Sequence, residues 1–178
     1  NDKTILLYQG VLQKNRGIFQ LIKIIQNTKN TIGVIIGNGE YFKFLKNYIY
    51  NNKLESRVYM MPAVSYDRLL QITASADIGV ALVRPVGLSN IYALPNKLFE
   101  YALSGIPTLS SDLPNIKKYV SKYSLGWAVG VDDLAKQIQI IKNYKPGQKE
   151  KDIKALSSDG LFSWASQKNS FYNFIINE

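Results

Sequence analysis

Cysteine and histidine are both missing from this 178-residue chain. Without cysteine there is no disulfide, no thiolate nucleophile and no Cys-ligated zinc site. Without histidine the commonest general base and the commonest metal ligand are gone. A Ser-His-Asp triad, a Cys-His dyad and a His-rich metal site cannot be built from this chain alone. Acidic residues are also few: 13 Asp+Glu stand against 22 Lys+Arg, a formal charge of +9. Such a surface suits anionic or phosphate-bearing partners. The longest apolar runs are a few residues, far short of a membrane span. No basic stretch followed by an apolar one opens the chain, so no signal peptide is read. The strand-like run Ile5-Leu6-Leu7-Tyr8 follows only four residues, an abrupt start that reads as a cut chain. What is present is a globular composition, 46% hydrophobic and 20% charged, sized for one domain with a real core.

Short apolar runs alternate with helical stripes along the whole chain. Ile5 to Tyr8, Ile32 to Ile36, Arg57 to Met61, Asp77 to Leu82, Thr108-Leu109 and Trp127 to Val129 read as strands buried on both faces. Between them, Ile18, Leu21, Ile22 and Ile25 mark one helix face, and Tyr41, Phe44, Leu45, Tyr48 and Ile49 mark the next. Further helices are expected over 65–74, 95–104 and 112–120. Another starts at Asp132, with Ala135, Ile138 and Ile141 on its packed face. The aromatic-rich segment 162–176 predicts a terminal helix. Val83 to Leu94 reads as a loop of roughly a dozen residues. Five or six strand-helix repeats make an α/β fold, a Rossmann-like parallel sheet of about six strands with helices on both faces. Ligands of such sheets bind beyond the carboxyl ends of the strands. The loops to watch are 10–17, 37–40, 61–65 and 83–95.

The segment Pro95-Asn96-Lys97-Leu98-Phe99-Glu100-Tyr101 carries the most chemistry. Pro95 suits the first helical position, which places Lys97 in the first turn. A cation there opposes the helix dipole unless an anion also sits at that end. Glu100 lies one turn deeper, where a carboxylate can accept two hydrogen bonds from a sugar diol. A weakly paired Lys and Glu on a surface helix is the plain alternative. The first loop, Gly10 to Gly17, carries Lys14 and Arg16, and Arg16 could fork onto phosphate oxygens. Its spacing is neither the dinucleotide glycine motif nor the phosphate-loop lysine motif, so a generic basic loop stays open. Gly37-Asn38-Gly39 reads as a turn. Met61-Pro62 could form a shelf for a flat ring, or simply pack in the core. Lys43, Lys46 and Lys53, and separately Lys117, Lys118 and Lys122, read as solvated basic faces. No nucleic-acid signature is visible, so nucleic-acid binding stands only as an alternative based on charge.

At these residues the chain resembles the C-terminal, donor-binding domain of glycosyltransferases with two facing Rossmann-like domains, the GT-B fold of the family 4, or group 1, type. Tyr8-Gln9-Gly10 through Arg16-Gly17 is similar to that family's first strand and loop. Ile36-Gly37-Asn38-Gly39 is similar to its Gly-Asp-Gly turn, and Ser75-Ala76-Asp77-Ile78-Gly79-Val80 to its fourth-strand segment. Pro95 to Tyr101, followed by Gly105-Ile106-Pro107, resembles its donor-site helix, and Phe162-Ser163-Trp164 the start of its final helix. The sequence departs from the family at Val11, where an Arg is frequent, at Arg16, where a Lys is usual, and at Tyr92, where an earlier Glu is usual.

The resemblance implies transfer of a glycosyl unit from a nucleotide-diphosphate sugar, with no cofactor and no bound metal. It implies that Gly10, Arg16, Asn96 and Lys97 meet the diphosphate, that Glu100 holds the ribose and that the base stacks near Met61 and Pro62. Residues 1–178 would be one domain, the donor half of a larger enzyme. The catalytic groups and the acceptor site would lie mainly on a missing N-terminal domain, which the 162–176 helix would reach. The implied setting is cytoplasmic, in bacterial cell-surface polysaccharide or glycolipid synthesis, with peripheral contact to the inner membrane face as a variant. Alternatives are a sugar-nucleotide epimerase, and a non-catalytic nucleotide-binding or partner-binding module.

Overall fold

The computed structural model describes residues 3–145, together with 153 and 168. Strands β1 (Thr4–Gln9), β2 (Thr31–Ile36), β3 (Val58–Met61), β4 (Ile78–Ala81), β5 (Thr108–Ser111) and β6 (Gly126–Val129) are interleaved with helices. The helices are α1 (Ile18–Gln26), α2 (Phe42–Asn51), α3 (Tyr66–Thr73), α4 (Leu88–Ile91), α5 (Asn96–Leu103), α6 (Pro114–Lys122) and α7 (Leu134–Asn143). All strand pairs are parallel, in the order β3-β2-β1-β4-β5-β6. The chain starts in the middle of the sheet and builds outward to β3. It then returns to β4 on the other side of β1. The loops that leave β1 and β4 therefore diverge, and a crevice opens between the carboxyl ends of these two strands.

Strand alternation sorts the core into two layers. Leu6, Tyr8, Ile78, Val80 and Leu109 face one side, against Leu21 and Ile25 of α1, Leu45 of α2 and Ile141 of α7. Leu7, Ile36 and Ala81 face the other side, against Tyr101 of α5 with Leu69 and Ile72 of α3. Helix α6 joins this second layer by packing Ile116 and Val120 onto Leu98 and Ala102 of α5. Each buried aliphatic side chain of this kind contributes about 1.5–3 kcal/mol relative to exposure. Continuous apolar strands are what a sheet covered on both faces demands.

Several sequence expectations need correction. The stretch 83–94 is not a plain loop, because it holds α4. Pro95 is the residue before α5, with extended backbone (φ −73°, ψ 138°), so Asn96 is the first helical residue. Asp112 stays outside α6, which begins at Pro114. On α7 Ala135 is exposed and Gln137 is buried instead. The reason is polar: the Gln137 amide donates to the carbonyls of Gly130 and Val131, so it is carried inward. Phe44 is 54% exposed, while Leu45 and Ile49 hold α2 to the core. Lys53 lies just past the end of α2, in a turn with φ 55°. The terminal helix expected over 162–176 lies outside the described residues, save for Lys168. Among the described residues no helix is long and apolar enough to cross a membrane.

Candidate functional site

Backbone hydrogen bonds join the loops at the carboxyl edge of the sheet into one surface. Gly10 N–H donates to Ile36 O at 3.0 Å, Leu12 N–H to Asn38 O at 2.9 Å, and Tyr41 N–H to Leu12 O at 3.1 Å. Gly37 N–H donates to Met61 O at 3.0 Å, and Ala63 N–H to the Asn38 side-chain oxygen at 3.2 Å. Gly37 is thus more than a turn. A Cβ there would collide with the Gly10 carbonyl, so the first two loops touch only because this residue has no side chain. Gly10 has φ +123°, a conformation that disfavours L side chains, and a Cβ on it would come within 3.5 Å of the Lys97 ammonium.

A mostly apolar cleft lies along this edge, lined by Gly10, Val11, Ile36, Gly37, Asn38, Ala63, Val64 and Leu69. Of the two residues expected to hold a base, Met61 packs its side chain toward the α3 layer and Pro62 is exposed. The two residues that follow them, Ala63 and Val64, form this part of the cleft wall.

Helix α5 delivers the polar groups. No acidic residue occupies its first turn and no side chain caps it. Among the described residues the backbone N–H groups of Asn96 and Lys97 take no acceptor, and the Asn96 side chain is exposed. The N-terminal end of the helix therefore keeps its positive character. The Lys97 ammonium adds to it, lying 3.7 Å from the centroid of the Tyr8 ring. Lys97 is partly exposed as a residue, and the loss of water falls on its ammonium. Burial pushes its pKa down from 10.5 to about 7; the neighbouring charge of Arg16 lowers it further, and Glu100 pulls it back. Arg16 makes no ion pair or hydrogen bond among the described residues, although its charge reaches both Lys97 and Tyr8. Its side chain also borders a second cleft with Lys14, Lys23 and Arg84. Two basic side chains at the same edge, neither of them in an ion pair among the described residues, form a site suited to an anion.

Glu100 sits one turn further along α5 and is partly exposed. One of its oxygens accepts from the Gln9 side-chain amide at 2.6 Å. Gln9 is the last residue of β1 and is 1% exposed. Its carbonyl oxygen accepts from the Thr73 hydroxyl at 2.7 Å, and its backbone N–H donates to the Tyr101 hydroxyl at 3.3 Å. Tyr101 is fully buried across Gly79 of β4, and its hydroxyl lies within reach of the carbonyls of Leu7 and Val80. Burial pushes the Tyr101 and Tyr8 hydroxyls well above the usual tyrosine range, so both remain neutral donors. Tyr101 thus pins α5 to the junction of β1 and β4. Gln9, Thr73, Tyr8 and Tyr101 were not singled out as site residues from the sequence. For Tyr8, Gln9 and Tyr101 the one signal was their closeness in sequence to Gly10 or Glu100; for Thr73 the sequence carried none.

The structure therefore gathers Gly10, Arg16, Lys97 and Glu100 around one crevice, with Asn96 at its rim. Among the described residues no three acidic side chains cluster as a metal site would require.

Solved structures with this fold are numerous. Alr3699/HepE from Anabaena, determined with UDP and glucose, superposes with a TM-score of 0.80 at 16% identity, over 99% of this chain and 49% of its own. Sucrose-phosphate synthase from Thermosynechococcus elongatus gives 0.76 at 18% identity, over 99% of this chain and 46% of its own. WaaG, a glycosyltransferase involved in lipopolysaccharide biosynthesis, gives 0.70 at 14% identity, over 88% and 43%. The chain thus spans about half the length of these proteins. No curated protein matches it by sequence. The model of the family described as "Glycosyl transferases group 1" matches residues 1–155. With that match over most of its length and the GT-B type half-fold beneath it, the chain belongs to the group 1 glycosyl transferases.

Proposed function

We propose that residues 1–178 are the donor-binding half of a two-domain glycosyltransferase. It binds a nucleotide-diphosphate sugar, and the glycosyl unit passes to an acceptor held by a second, N-terminal domain. One observation carries the reading: Lys97 and Glu100 lie a turn apart on a helix whose positive end opens at the crevice between β1 and β4. In this reading the diphosphate lies between the α5 N-terminus, Lys97, Arg16 and the backbone near Gly10. Charge that develops on the departing diphosphate meets donors already in place, so little reorganisation is needed during transfer. Glu100 accepts from the ribose hydroxyls through the oxygen that Gln9 leaves open. The base lies in the apolar cleft beside Ala63 and Val64, next to Met61 and Pro62. The two cations do the neutralising that other transferases assign to a metal ion, so the reading calls for no metal or cofactor. Catalytic groups at the reacting carbon belong to the second domain. UDP is the first nucleotide to try, because HepE was determined with it. WaaG, involved in lipopolysaccharide biosynthesis, favours a setting in bacterial cell-surface polysaccharide or glycolipid synthesis; a cytoplasmic location with peripheral contact to the inner membrane face is part of the proposal.

A thermal-shift panel of UDP, GDP, ADP and their sugars tests the reading. A ligand that binds only the folded state stabilises it by about 2.7 kcal/mol at one hundred times its dissociation constant. One nucleotide should stand out from the other two. No stabilisation by any of them would remove the donor site.

A further inference from the structure

Glu100 is partly exposed at the end of a long chain of rotatable bonds, yet ribose recognition needs its carboxylate held in one orientation. The hydrogen bonds around Gln9 supply that orientation. Gln9 is buried at the end of β1 and lies 91 residues from Glu100 in sequence. Its amide can be placed in two ways, and the chemistry of its neighbours selects one. A carboxylate can only accept, so the Gln9 NH2 must face Glu100 and the Gln9 carbonyl oxygen must face Thr73. Thr73 has a single hydroxyl proton and two acceptors in reach, Leu69 O and the Gln9 oxygen, each at 2.7 Å. Giving the proton to Gln9 satisfies the Gln9 oxygen, while Leu69 O, one turn before Thr73 on α3, keeps the helix backbone N–H as its donor. Thr73 is itself fully buried on α3 and cannot turn away.

Resting on the assignment of Glu100 to the ribose, we propose that Gln9, held by Thr73, is a positioning residue that sets the Glu100 carboxylate for a vicinal diol. The relay spans three elements, from α3 through β1 to α5. The 2.6 Å bond from Gln9 is charge-assisted and occupies one oxygen of Glu100. Among the described residues the other oxygen takes no hydrogen bond, and it faces the ligand with its rotamer already chosen. Preorganisation of this kind improves affinity by removing the cost of ordering a side chain on binding. The relay therefore acts on the ribose hydroxyls and on nothing else in the ligand.

That selectivity separates positioning from mere structural support. Calorimetric titrations would compare the diphosphates of uridine, guanosine and adenosine with their 2′,3′-dideoxy counterparts, and with inorganic pyrophosphate. For the unaltered chain the ribose form should bind about tenfold or more tightly than the dideoxy form. Gln9→Met keeps the buried volume and removes both side-chain bonds, and Thr73→Val removes only the hydroxyl. Each should bring the ribose preference down to about twofold while leaving pyrophosphate binding unchanged. Thr73→Ser, which keeps the donor, should restore the preference. Glu100→Gln is the control. If it abolishes the preference while Gln9→Met and Thr73→Val retain it, the relay is wrong and the ribose assignment survives. If Glu100→Gln leaves the preference intact, the ribose assignment fails and the relay with it. Equal weakening of all ligands by Gln9→Met would reduce Gln9 to a structural role. Should Gln9→Met fail to fold, the Thr73→Val and Thr73→Ser pair decides alone. An absence of binding by every diphosphate would overturn the donor site and the relay together.

Discussion

In the proposed donor site, Lys97 should make ligand binding a proton-coupled event. In the unliganded protein its pKa sits at about 7, first because its ammonium is buried and second because Arg16 repels it. Glu100 and the face of the Tyr8 ring favour the charged form and oppose both effects. A diphosphate beside the ammonium adds two negative charges and must raise the pKa. Below about pH 7 the ammonium is already present and binding needs no proton. Above that pH the free protein has lost the proton and must regain it, at ~1.4 kcal/mol per pH unit. Affinity should therefore fall by up to about tenfold for each unit from roughly pH 7.5 toward 9.5. Nucleotide sugars suit the assay because their diphosphate has no terminal ionisation in this window. Calorimetry at pH 8.5 in buffers of different ionisation enthalpy counts the protons directly, and about one should be taken up per ligand. Lys97→Met should abolish both the uptake and the slope. The stability of the free fold runs in the opposite sense. The unfolded chain keeps the Lys97 proton up to the ordinary 10.5 while the folded chain releases it at about 7, so stability rises with pH between these values. Lys97→Met should accordingly stabilise the unliganded domain, by about 1–2 kcal/mol at pH 7. Proton uptake that survives in Lys97→Met, or no uptake in the unaltered chain, would refute the placement of Lys97 against the phosphates.

Three further outcomes are expected. Lys97→Ala should weaken nucleoside diphosphates far more than the bare nucleoside in parallel titrations; equal losses would place Lys97 away from the phosphates. Gly79→Ala should cost about 1–3 kcal/mol in denaturant unfolding, because its Cβ would enter the Tyr101 ring, and this strain is absent from any other Ala substitution on β4. Residues 1–178 should bind nucleotide without measurable glycosyl transfer, since orientation of two substrates supplies about 7–11 kcal/mol of barrier reduction and one wall of a cleft supplies little of it. Robust transfer to purified acceptor by this segment alone would sink the two-domain reading.

Much of the architecture was legible in the chain. Strands covered on both faces must be apolar throughout, so Ile5 to Tyr8 and Ile32 to Ile36 announced themselves, as did the stripe of α1. Lys97 and Glu100 stood out because a first-turn lysine conflicts with the helix dipole, and such a local conflict asks for a ligand. These are properties of near neighbours, and near neighbours are what a sequence records. The placement of β1 between β2 and β4 is of another kind. No local pattern encodes it, and the same holds for the seating of α5 on the sheet, where Gly79 of β4 makes room for the Tyr101 ring, an agreement between residues 22 apart in sequence. Gln9 looked like one more residue of the Tyr-Gln-Gly strand end; only the fold brought it to Glu100, 91 residues away, and to Thr73, 64 away. The inward turn of Gln137 and the outward turn of Ala135 likewise followed from carbonyls at Gly130 and Val131 that no hydrophobic period encodes. Composition and period determine which segments are buried. Which buried polar groups meet is decided by tertiary packing, because each must find its partner wherever the sheet order happens to put it.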